Sequence, residues 1–121
     1  MRANDFLTEQ TSHTVFLEIF KKFLPLAMKH IGLTSLPKMI FKKTINNNNQ
    51  PTFGSYVNGE HVLFVALANR HPNDILRTVA HELTHYRQDT ENKLSADSGN
   101  TGSPIENEAN AMAGIVMRNF N

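Results

Sequence analysis

Residues 72–88 read PNDILRTVAHELTHYRQ. At about 100° per residue, Ile75, Leu76, Val79, Ala80 and Leu83 fall on one apolar stripe. Pro72 suits a first helical position, where its missing N–H leaves nothing unpaired, and Asp74 places a negative charge in the first turn, where the helix dipole favours it. The stretch is read as a helix from Pro72 to about Gln88 with one face committed to a core. His81 and His85 leave that helix on nearly the opposite side, one turn apart and one above the other.

Two imidazoles so placed can bind one metal ion between them. Glu82 follows the first of them, which puts its carboxylate beside the ion and not on it. There it can take a proton from a metal-bound water and pass it on. This is the mechanical reading of His-Glu-x-x-His on a helix, with zinc as the metal. The competing reading is a solvated helix face with two incidental histidines. A strand immediately upstream and the helical frame weigh against it.

Upstream, His61 to Ala68 is read as a strand with a continuous apolar run, Val62 to Leu67, buried on both faces. Asn58-Gly59 signals a hairpin turn. Thr52 to Val57 is a further strand, with Gly54 marking a bulge or a close approach, and Asn46 to Pro51 is a turn or loop. Lys38 to Ile45 reads as the first strand, Met39, Phe41 and Ile45 sharing a face. The alternation is imperfect, because Lys43 falls on the apolar side.

From Ser12 to about His30, Val15, Phe16, Ile19, Phe20, Phe23 and Leu24 recur at helical spacing, with Ser12 or Thr14 as a cap. Pro25 implies a kink or break and Gly32 an end; residues 1–12 read as a polar lead-in. Downstream, residues 92–103 form a polar loop and Ile105 to Phe120 a last helix. The expected fold is α+β in one domain spanning 1–121: an N-terminal helix, a small, mostly antiparallel three-stranded sheet and two further helices.

The chain has 121 residues, with 12 basic and 11 acidic side chains, so nothing electrostatic points to nucleic acid. It has no cysteine, which excludes disulfides and thiolate metal sites; a metal must be held by His, Asp or Glu. No stretch is apolar enough for a membrane span or a signal peptide, so a cytoplasmic protein is expected.

Thr78-Val79-Ala80-His81-Glu82-Leu83-Thr84-His85 resembles the active-site helix of the zincin metallopeptidases, and the strand before it resembles their setting. The likeness covers roughly residues 60–120. It implies His81 and His85 as zinc ligands and Glu82 as general base. The metzincin extension needs Gly at 88 and His at 91, where this chain has Gln88 and Glu91, and no histidine follows His85, which disfavours the SprT-like branch. The segment from Pro104 to Ala113 resembles the second-helix motif of gluzincins and ImmA/IrrE-type metallopeptidases. That resemblance implies Glu106 as third ligand, with Asn110 steadying a ligand histidine and small residues allowing close helix approach. Glu108 competes; it points about 160° away from Glu106 on a helix, so only one of them can serve.

Tyr56 and His61, on neighbouring strands, are candidates to stabilise an oxyanion. Tyr86 is expected to be structural and His71 to start a helix. The expected activity is zinc-dependent hydrolysis of a polypeptide substrate, and the whole chain resembles compact phage-encoded proteins of this kind. The alternatives are a zincin-fold binding module with a structural or inactive metal site, and an assembly protein without metal.

Overall fold

The first helix outruns its apolar pattern. The computed structural model describes residues 3–47, 49–94 and 103–121, with side chains from Thr14 onward except that of Asn47. In it α1 spans Ala3–Ile31, starting well ahead of Ser12, so neither Ser12 nor Thr14 is its cap. Residues 3–11 contain no Gly or Pro and several strong helix formers, so propensity carries the helix where no stripe marks it. Pro25 lies inside α1 without ending it. Gly32 does end it: its φ is 89°, and the amides of Gly32 and Leu33 both return to the carbonyl of Met28 at 2.8 Å.

Five short strands follow: β1 (Lys38–Lys42), β2 (Ile45–Asn47), β3 (Gln50–Thr52), β4 (Gly54–Val57) and β5 (Val62–Ala66). The expected strand from Lys38 to Ile45 is thus two, and that from Thr52 to Val57 is broken at Phe53. The first break falls where the alternation failed, at Lys43. Beyond Lys43, whose carbonyl still accepts from the amide of Ala68, the chain turns into a separate antiparallel ribbon of β2 and β3. The main sheet has the order β1-β5-β4. β5 runs antiparallel to β4 across the Asn58-Gly59 turn, and parallel to β1, with Lys38 opposite Val62. The ribbon carries the chain past the central position, which β5 then fills.

β5 is buried on one face only. Leu63 and Val65 are fully enclosed, whereas Val62 and Phe64 keep some exposure and the Lys42 ammonium lies 5.2 Å over the Phe64 ring. The helices pack on the inner face and on one another. α2 (Pro72–Thr90) is the central element, touching α1, β4, β5 and α3 (Pro104–Phe120). Its stripe of Ile75, Leu76, Val79, Ala80 and Leu83 is buried as expected, in one cluster with Phe23, Ala27, Leu63, Val65, Ala113 and Val116. Edge-on ring contacts join the layers, Phe20 to Phe41 at 5.5 Å and Phe23 to Phe120 at 5.3 Å. Each large apolar side chain so buried is worth roughly 1.5–3 kcal/mol. The stripe therefore fixes the rotation of α2, and with it the direction of His81 and His85. Among the described residues no helix is long and apolar enough to cross a membrane.

Candidate metal centre

Both ends of the helix pair that builds the site are capped by side chains. His71 precedes α2 and its Nδ1 accepts from the amide of Asn73 at 3.0 Å, so it is the helix-start residue expected. Ser103 caps α3, its Oγ accepting from the amide of Glu106 at 3.1 Å. That places Glu106 in the first turn, where the helix dipole favours its charge.

α3 lies antiparallel to α2, and the pairing advances one turn at a time. His85 meets Glu106, His81 is hydrogen-bonded to Asn110, and Arg77 reaches over Gly114. Ala109 and Ala113 are fully or almost fully buried on this seam, which lets the helices approach closely. The histidine face of α2 is therefore turned to a partner helix and not to solvent.

His81 Nε2 lies 2.8 Å from Glu106 Oε1, and His85 Nε2 lies 3.1 Å from Glu106 Oε2. The two Nε2 atoms are 3.2 Å apart, their rings edge to face. His81, His85 and Glu106 form a group that could hold a metal ion. The choice between the two glutamates is made by direction. Glu108 turns away and pairs with Arg87 at 2.7 Å.

Gln88, which sequence reading passed over, decides the proton arrangement. Its amide nitrogen donates to the carbonyl of Ile105 at 3.1 Å and to Glu108 Oε1 at 2.7 Å. Both partners only accept, so the amide oxygen is left for His85 Nδ1, 2.8 Å away. Nδ1 must then carry the proton, and in the neutral form the ring presents its lone pair at Nε2. That lone pair faces another imidazole nitrogen and a carboxylate. One proton can satisfy one such pair, whereas a metal ion satisfies all three donors together. Burial also disfavours the imidazolium form of His81, with Glu106 and Asn110 opposing and His85 adding to the effect. The signal for Gln88 was its place three residues after His85 on the same helical face. Gln88→Leu should weaken metal affinity by roughly 10–100-fold with the ligands intact, since it removes the group that orients His85; competition titration against a chromophoric chelator measures this.

Glu82 is 6% exposed, and burial, then the charge of Glu106, push its carboxyl up to about 8. It sits under Gly54 at the start of β4. A Cβ there would stand 2.5 Å from Thr78 Cγ2 and 2.9 Å from Glu82 Oε2. Thr78 cannot easily yield, because its hydroxyl donates to the carbonyl of Asp74 and accepts from Arg70. Gly54 is thus the close approach expected, and Gly54→Ala should cost about 1–3 kcal/mol in urea unfolding. A cleft of about 770 Å³ opens here, lined by Gly54, Arg70, Arg77, His81, Glu82 and Glu106 among others. Arg70 holds its rim by donating to the carbonyls of Ala66 and Asp74 and stacking 4.3 Å over Phe53.

Tyr56 and His61 are not at this cleft. The Tyr56 hydroxyl donates to Asp89, His61 packs edge-on against Tyr86, and the amide of Gly59 joins them at Asp89 Oδ2. They pin the hairpin to the far end of α2. Tyr86 is buried and shares a hydrogen bond with Ser35, in keeping with a structural role. The loop expected over residues 92–103 lies largely outside the described residues. Comparison with family models, with curated proteins and with solved structures finds no match to this chain.

Proposed function

We propose that the protein is a zinc-dependent peptidase of minimal zincin type, with His81, His85 and Glu106 as ligands and Glu82 as general base. The observation that carries this is the convergence of three lone-pair donors on one point at the wall of an open cleft. Their spacing suits bonds of about 2.0–2.2 Å to a first-row divalent ion. Structural zinc sites are closed by four protein ligands, while hydrolytic ones keep three and leave a position open. Among the described residues there are three, without a thiolate, and the cleft gives access. A zinc ion held by this set supplies Lewis acidity, acidifying water and polarising an acyl carbonyl.

Glu82 is not among the three donors and lines the same cleft, so its carboxylate is placed to hold a proton and hand it to a leaving amine. A purely structural site has no use for that carboxylate. β4 is an edge strand of the main sheet, and its first residue lines the cleft. Phe53 and Ala66 form a hydrogen-bonded pair, so by alternation the backbone polar groups of Gly54 and Tyr56 point away from β5. Such an edge can take up an extended polypeptide as an added strand.

The test is incubation of the zinc-loaded protein with a library of unstructured peptides, products being identified by mass spectrometry. Cleavage that stops with a chelator and returns with zinc is the expected result. Stoichiometric zinc with no cleavage would favour a binding module, and failure to bind zinc would leave an assembly protein.

A further inference from the structure

Among the described residues, two charges of the cleft have no hydrogen bond or ion pair, the Asp74 carboxylate and the Arg77 guanidinium. Glu106 is committed to the histidines, and Glu82 is enclosed beneath Gly54. Asp74 acts electrostatically on Arg70, whose guanidinium is spent on backbone carbonyls and the Thr78 hydroxyl. Arg77 is different. It is exposed, lines the same cleft, and among the described residues has no hydrogen bond or ion pair. It stands one helical turn before His81 on the same face of α2. Its guanidinium extends over α3 at Gly114, where an added Cβ would meet Nη1 at 4.0 Å. A planar fork of donors without a partner among the described residues, in the cleft that His81 and Glu106 also line, can take a carboxylate in two parallel hydrogen bonds.

We propose that Arg77 is a specificity-determining residue of the cleft, recognising a carboxylate close to the scissile bond of the substrate. This rests on the metallopeptidase reading. The carboxylate is that of a chain terminus or of an acidic side chain. Phe53, 65% exposed at the rim, supplies apolar surface for a neighbouring residue.

The experiment uses zinc-loaded full-length protein, wild type and Arg77→Gln, and three malonyl hydroxamates that anchor on zinc. One ends in alanine with a free carboxylate, one in aspartate amide, one in alanine amide. Affinities are read by calorimetry. The expected result is that a carboxylate compound binds wild type about tenfold or more tighter than alanine amide. The preference should vanish in Arg77→Gln, with alanine amide affinity and zinc content unchanged. A preference for the alanine acid assigns a chain terminus; one for aspartate amide assigns an acidic side chain. Equal affinity of all three for wild type, or a preference that survives in the variant, overturns the role of Arg77 and leaves the open zinc site standing. Failure of every hydroxamate to bind overturns the open zinc site and the role of Arg77 with it.

Discussion

Glu106→Ala protein is expected to purify without metal and to gain no thermal stability when zinc is added, while Glu108→Ala keeps both properties. The two residues are one half-turn apart on α3, and only their directions differ. Glu106 turns its carboxylate onto both imidazoles, at 2.8 and 3.1 Å. Removing it leaves two nitrogens from one helix, so affinity should fall beyond the roughly 100-fold that loss of a merely supporting residue can cost. Glu108 holds Arg87 and one proton of the Gln88 amide, and Gln88 keeps the carbonyl of Ile105 without it. Its side chain is 41% exposed, so losing this ion pair should cost at most about 1 kcal/mol. Zinc at about 100 times its dissociation constant adds roughly 2.7 kcal/mol to wild type, or roughly 10 °C in melting temperature for a chain of this size. Metal analysis and thermal scans of the three proteins side by side decide the matter. Zinc retained at full strength in Glu106→Ala would remove it from the ligand set.

What could be read from the sequence was local. α2 announces itself through a stripe with helical period, and rotation of a helix is fixed once its buried side is known, so His81 and His85 had to share the other side. The face they look onto was not local. Glu106 reaches them through the antiparallel seam of α2 and α3, set by the packing of Ala109, Ala113 and Val116 across a connection that carries no periodic signal. Only likeness to a motif singled it out from Glu108. The strands show the same division. Lys43 on an apolar face was a true sign that one strand was really two, but the parallel pairing of β1 with β5 depends on where the intervening ribbon takes the chain. Gln88 and Arg77 escaped notice because neither is unusual in kind. The role proposed for Gln88 depends on two acceptors offered by α3, and that proposed for Arg77 on the lack of one among the described residues.

Glu82→Gln should leave zinc content and fold intact and lower kcat by on the order of 10²–10⁴. The amide has the shape of the carboxyl it replaces, so the fit beneath Gly54 and against Thr78 is kept. Glu82 is also outside the donor set, so the metal loses no ligand. What the variant lacks is a group that can accept a proton and give it up again. A loss confined to that step should appear in kcat with KM little changed, because the binding of substrate proposed along β4 does not involve the carboxyl. Stability supplies an independent control. The variant removes a carboxyl that burial disfavours in its charged form, so its melting temperature near pH 8 should not fall below that of wild type. Activity that persists in Glu82→Gln, with metal bound, would take the proton-carrying role from this residue. Activity lost together with the metal would make Glu82 a support of the site, and a melting temperature well below wild type would trace the loss to the fold. Activity lost with metal, KM and stability all preserved is the pattern that a positioned general base predicts.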